Sequence, residues 1–227
     1  MLYDHATITG YCELIEGKMK NEKIVTTLNR LRQRYGTKPW NWHTRQKKPF
    51  HVLVGTILSQ RTRDSQTDAA AQNLFERFAT PDELANAPLK EIEKLIRNVN
   101  YHKTKAKRIR EIAKIIAERF NGKVPQDIKL LMSLPGVGRK TANCVLLYGF
   151  GKPVLPVDTH VHRIANRLGW IKTKTPEETE QALKKIITPD WIPFVNDLFV
   201  KHGQTLCKPN RPYCDRCPIA DLCQFNH

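Results

Sequence analysis

Leu134-Pro135-Gly136-Val137-Gly138-Arg139-Lys140-Thr141-Ala142-Asn143 is the stretch on which the reading of this chain turns. A proline and two closely spaced glycines, followed by residues able to continue a helix, mark a turn between helices. Both glycines are expected to permit left-handed backbone angles and to let main-chain N–H groups approach a partner, where a new helix presents its positive end. A phosphate fits such a place. A plain interhelical turn is the alternative, and residues 134–138 alone leave both open. Arg139 and Lys140 open the second helix. A helix start disfavours positive charge, so Lys140, partly buried in a cleft, is expected to give up its proton readily and act as a nucleophile. The competing reading is a lysine that contacts phosphate and never reacts.

Outside this hairpin, which reads as helix–turn–helix from Asp127 to Phe150, apolar residues keep recurring at helical spacing. Ile24, Leu28 and Leu31 do so early, and Ile109, Ile112, Ile116 and Phe120 later. No stretch alternates apolar and polar residues long enough to argue for a sheet, and no repeat or low-complexity segment interrupts the pattern. The chain is expected to be all-α. Steps such as Lys38-Pro39, Lys48-Pro49, Ala87-Pro88, Val124-Pro125, Lys152-Pro153 and Thr188-Pro189 punctuate it into about ten helices. Thr80-Pro81-Asp82-Glu83 and Thr175-Pro176-Glu177-Glu178 carry cap signals, with Thr at the N-cap, Pro at the first helical position and acids in the first turn. A length of 227 residues suits two modest lobes.

The formal net charge is +16, from 38 basic and 22 acidic residues. Such a surface attracts polyanions, nucleic acid above all, because each neutralised phosphate releases condensed counterions. Part of the excess is local: residues 90–123 hold eleven basic and four acidic side chains, including Lys103, Lys105, Lys107, Arg108 and Arg110. No run of about 18 or more apolar residues occurs, and the N-terminus lacks the basic start and apolar core of a secretory signal. An intracellular protein that does not enter a membrane is expected. Cys12 and Cys144 stand alone, Cys144 in an apolar helical run that reads as core. Cys207, Cys214, Cys217 and Cys223 follow one another after six, two and five residues. Four thiolates can close a metal site, and without one the loop 208–213 has little core to hold it. The spacing alone favours zinc. Further on, Val154-Leu155-Pro156-Val157 leads into Asp158-Thr159-His160, where the carboxylate reads first as a helix cap.

The stretch 134–143, Val157-Asp158-Thr159-His160 and the terminal cysteines together resemble the endonuclease III family of base-excision repair glycosylases, over about Pro49 to Cys223. The resemblance implies two interleaved helical lobes. Residues 42–152 would form a six-helix barrel ending in a helix-hairpin-helix (134–138), and residues 1–41 with 153–227 a cluster lobe, the active cleft lying between them. Gly136, Val137, Gly138 and Arg139 would then grip DNA phosphates. Lys140 would attack the anomeric carbon and form a Schiff base, and Asp158 would stabilise charge developing on the sugar and assist proton transfer. Family relatives that only excise a base carry another residue in place of Lys140, so the lysine implies lyase activity.

The resemblance also reverses the order of metals. In that family the six-two-five spacing holds a 4Fe-4S cluster, here on Cys207, Cys214, Cys217 and Cys223 (cluster loop 207–223), folding Lys208, Arg211 and Arg216 towards the DNA backbone. A base must leave the stack before an amine can reach its sugar, and such enzymes fill the gap with wedge side chains. The family's first wedge maps to Gln60 or Arg61 in Leu58-Ser59-Gln60-Arg61-Thr62-Arg63-Asp64, its second to Tyr101. The expectation is a monomeric, nucleoid-associated enzyme acting on duplex DNA with oxidised pyrimidines of the thymine glycol type or abasic sites. Its rivals are a monofunctional mismatch glycosylase and a non-catalytic DNA-binding module whose cysteines hold zinc.

Overall fold

A computed structural model of the chain describes residues 21–36 and 48–226. Cys12, the Lys38-Pro39 step and the first residues of the expected 42–152 lobe lie outside the described residues. Among the described residues there is no strand; the protein is all-α, as its periodicity predicts. Its helices are α1 (residues 21–35), α2 (Pro49–Ser59), α3 (Asp64–Arg77), α4 (Pro81–Asn86), α5 (Leu89–Leu95), α6 (His102–Phe120), α7 (Ile128–Met132), α8 (Arg139–Cys144), α9 (Thr159–Arg167), α10 (Pro176–Lys184) and α11 (Ile192–Thr205). A π-helical turn, Val145–Gly149, continues α8 directly. The chain divides into two compact units, Lys38–Pro156 and Met1–Thr37 with Val157–His227.

The first unit is built around α2, whose residues from Phe50 to Leu58 are all buried. A helix apolar all round belongs inside a core rather than on its surface. Its imidazole is accommodated there by pairing: His51 stacks on Phe75 with ring centroids 3.8 Å apart, and its Nε2 lies 2.8 Å from the Ala79 carbonyl. Burial pushes this histidine below its ordinary range, which favours the neutral ring. α6 presents Ile109, Ile112, Ala113 and Ile116 inwards, at i, i+3, i+4 and i+7, and all are fully buried. Phe120, expected on the same stripe, is only partly buried at the end of the helix. The proposed start of α4 is confirmed: Thr80 Oγ1 accepts from Glu83 N, and the Glu83 carboxylate accepts from Thr80 N at 2.9 Å. Cys144 is buried, as its apolar run implies.

The second unit packs α9 against α11, with Trp170 and Phe199 tilted together at 5.5 Å. Its early helix α1 buries Ile24, Leu28 and Leu31. Arg30 donates to Asp221 Oδ1 at 2.6 Å and to the Pro218 carbonyl at 3.3 Å, and Tyr35 OH lies 3.0 Å from His202 Nδ1. The Thr175–Glu178 capping box starts α10 as read from sequence.

Candidate nucleic-acid interface and cysteine centre

α7 begins at Asp127, whose carboxylate accepts from Lys129 N at 2.8 Å and Leu130 N at 3.0 Å. Leu134 and Val137 then turn their side chains into the core, 3% and 5% exposed, and Val137 N closes the turn on the Leu134 carbonyl. Gly136 has φ +69°, and a Cβ there would sit 2.4 to 2.6 Å from the Arg108 side chain. Only glycine fits. Gly138 corrects an expectation: its backbone is extended (φ −88°, ψ 176°), so left-handedness is not its purpose. A Cβ at 138 would meet nothing within 4 Å. What this glycine keeps clear is space outside the chain, at the N-cap of α8. Arg139 and Lys140 follow in the first turn of α8, both half-buried.

Two further turns of the same unit meet beside the hairpin. Gln60 is half-buried and tied down: its Nε2 donates to the Gly136 carbonyl at 3.1 Å, and Arg108 Nη1 donates to its Oε1 at 3.3 Å. Arg61, by contrast, is exposed and left-handed, with φ +54°. Tyr101, the N-cap of α6, is also left-handed (φ +57°) and 63% exposed, too exposed to anchor a loop in the core. Asn100 connects them, donating from Nδ2 to the Arg61 carbonyl at 2.5 Å and from its backbone N–H to Thr62 Oγ1 at 3.2 Å.

Lys105 corrects the reading of 90–123 as a basic surface. It is 3% exposed, and its ammonium donates to the carbonyls of Leu58 and Gln60, each at 2.6 Å, and to Thr62 Oγ1 at 2.8 Å. Burial pushes it down to about 8. The signal was present: Lys105 precedes Ile109 by four residues and so lies on the apolar stripe of α6. Lys103, Lys107 and Arg110 are exposed on the same helix, as a phosphate-facing surface requires.

In the other unit Asp158 caps α9. Its Oδ1 accepts from His160 N and Val161 N, both at 2.9 Å, which fixes the plane of the carboxylate. One turn of helix later the same α9 holds the cysteine loop. Arg163 donates to the Cys207 carbonyl at 2.8 Å, and Arg167 donates to Cys207 Sγ at 3.3 Å, to the Lys208 carbonyl at 2.7 Å and to the Pro209 carbonyl at 2.6 Å. The loop 208–213 therefore has more support than its composition suggests; the signal was a pair of arginines at i, i+4. Cys207, Cys214, Cys217 and Cys223 all line one small cavity of about 20 Å³, walled by Ile164, Leu168, Leu206 and Ile219. Burial, then the neighbouring thiols, push the Cys217 thiol up. His202 stands behind it, Nε2 3.7 Å from Cys217 Sγ, and burial pushes its imidazole down to about 4. Arg211 and Arg216 are exposed, Arg216 over the Tyr213 ring at 4.7 Å, while the Lys208 ammonium donates to the Gln204 carbonyl. Among the described residues no group of three or more His, Cys, Asp or Glu is arranged to hold a metal ion, and no helix is long and apolar enough to cross a membrane.

Comparison with known proteins adds to this geometry. The family described as "HhH-GPD superfamily base excision DNA repair protein" matches residues 54–189. The chain is 51% identical over 182 residues to endonuclease III of Thermotoga maritima, covering 80% of this chain and 85% of that one. Two solved structures are each 32% identical, covering 91% of this chain and 96% of theirs. They are a non-covalent endonuclease III–DNA complex (TM-score 0.78) and a trapped endonuclease III–DNA covalent intermediate with an estranged adenine (TM-score 0.76).

Proposed function

Because the chain belongs to the HhH-GPD superfamily of base excision DNA repair proteins and is a DNA glycosylase, we propose that it is a bifunctional one. It excises oxidised pyrimidines of the thymine glycol type through a Schiff base on Lys140 and nicks the strand 3′ to the abasic site. The observation that carries this reading is a primary amine, half-buried, in the first turn of the helix that follows a hairpin with open space at Gly138. The similar protein solved as a covalent intermediate with DNA supports the same chemistry.

In this reading Gly136, Val137 and Gly138 form the turn whose open backbone approaches phosphate, Val137 by holding its shape, and Arg139 adds a cation. The Lys140 nitrogen bonds to C1′ as the N-glycosidic bond breaks and the base leaves with its electron pair. Loss of the amine proton and opening of the sugar ring give the Schiff base. Removal of a C2′ proton then expels the 3′ phosphate. Asp158 supplies the negative charge that favours the cationic sugar and a base for the transferred protons.

Cys207, Cys214, Cys217 and Cys223 would hold a 4Fe-4S cluster. One cavity lined by all four cysteines and a guanidinium hydrogen bond to Cys207 Sγ both fit a thiolate-ligated centre. Bound there, the cluster supplies a structural crosslink for the loop and a redox-capable centre.

The test uses wild-type protein on duplexes carrying a single thymine glycol, abasic site, mismatch or no lesion, with and without borohydride. Excision and nicking of the first and nicking of the second, with covalent trapping on both, are expected. Excision without nicking or trapping would refute the lyase. Asp158 permits a sharper version, since Asn can still cap α9. Asp158→Asn is expected to keep its melting temperature and lose about 10²–10⁴-fold in excision rate, whereas Asp158→Ala also loses about 1 kcal/mol of stability with the cap. A wild-type rate for Asp158→Asn removes the carboxylate from the chemistry.

A further inference from the structure

Lys105 is buried with three hydrogen bonds on its ammonium and stands on a helix face that an aliphatic side chain would fill at lower desolvation cost. Each of an ammonium's three protons can serve one acceptor, and here all three acceptors belong to one turn, residues 58–62. That turn bends the backbone through a left-handed Arg61, a conformation an L-residue adopts only when its surroundings impose it. Asn100 braces the same turn from the start of α6, where Tyr101 is left-handed too. Arg108, three residues along α6 from Lys105, holds Gln60 against the hairpin carbonyl of Gly136. A single helix thus fixes two exposed turns and the hairpin.

We propose that Lys105 is a positioning residue for DNA engagement: by gripping Leu58, Gln60 and Thr62 it holds Arg61 and Tyr101 side by side as one stiff edge that enters the duplex beside an extruded nucleotide. This rests on the glycosylase reading above. With Gln60 occupied at Gly136 and by Arg108, Arg61 rather than Gln60 is the side chain offered to the gap. The clamp acts on opening the stack and leaves the bond-making at the sugar alone. Its loss therefore discriminates between substrates that must be opened and those that need not be.

The measurement is single-turnover kinetics of Lys105→Met, Thr62→Val and Thr62→Ser on two substrates: a fully paired duplex with one lesion, and a single strand with one abasic site. Lys105→Met is expected to lose about 30-fold or more in excision from the paired duplex and no more than about threefold in nicking of the single strand. Thr62→Val should show the same split more weakly, and Thr62→Ser, which keeps the hydroxyl, should restore the wild-type ratio. Equal losses on both substrates for either variant would show a purely structural lysine and overturn the proposal. If Lys105→Met does not fold, the Thr62 pair decides alone: wild-type rates for Thr62→Val on the paired duplex overturn it. A wild-type protein inert on both substrates would instead refute the glycosylase reading itself.

Discussion

Lys140→Gln is expected to bind a lesion-bearing duplex, yet neither nick it nor become welded to it by borohydride. The substitution keeps a polar side chain of similar length in the first turn of α8 and deletes the nucleophilic amine. If Lys140 forms the Schiff base, nicking falls by at least about 10³-fold, as when other enzymes lose a covalent nucleophile. A lysine that merely touches phosphate behaves differently. Removing one such contact lowers the salt slope by roughly one and weakens binding, with little change in the rate at saturation. The two readings therefore separate on saturating duplex, where binding no longer counts. Undiminished nicking and trapping at saturation would move the nucleophile elsewhere.

Cys214→Ser is expected to abolish the brown colour of the purified protein and lower its melting temperature by about 10 °C. The size follows from linkage: a group bound at about 1,000 times its dissociation constant adds about 4 kcal/mol to the folded state. In a chain of this length each kcal/mol moves the midpoint by about 2–4 °C. Cys214 opens a short 3-10 turn, Cys214–Arg216. Cys207, in contrast, is held by Arg163 and Arg167 whatever the cavity contains. The mutant loop should therefore fray from 214 onwards and stay docked near 207, which amide exchange can read residue by residue. An unchanged midpoint with loss of colour would assign the cluster no part in stability.

How far the sequence carried depended on whether a residue's role was local. Caps at Thr80 and Thr175 need only their own first turn, and both form as read. The apolar stripe of α6 follows from period alone. Gly136 looked interchangeable with Gly138 because the left-handed backbone and the neighbouring Arg108 that set it apart are products of the folded turn. Lys105 was misread for the same reason. Charge suggests surface, and only the carbonyls of a turn more than forty residues earlier make its burial tolerable. Asp158 was legible as a cap, and the cap is present; its part in chemistry came from resemblance and awaits Asp158→Asn.

The interruption of one unit by the other has a consequence for biogenesis. As the chain leaves the ribosome, residues up to 156 complete a unit that can fold at once, whereas α1 must idle until its partners are translated. Arg30 finds Asp221 and Tyr35 finds His202 only after the whole of the intervening unit has been made. Cys207, Cys214, Cys217 and Cys223 follow the hairpin in the chain, so the loop they bracket can close only after residues 134–138 have been made.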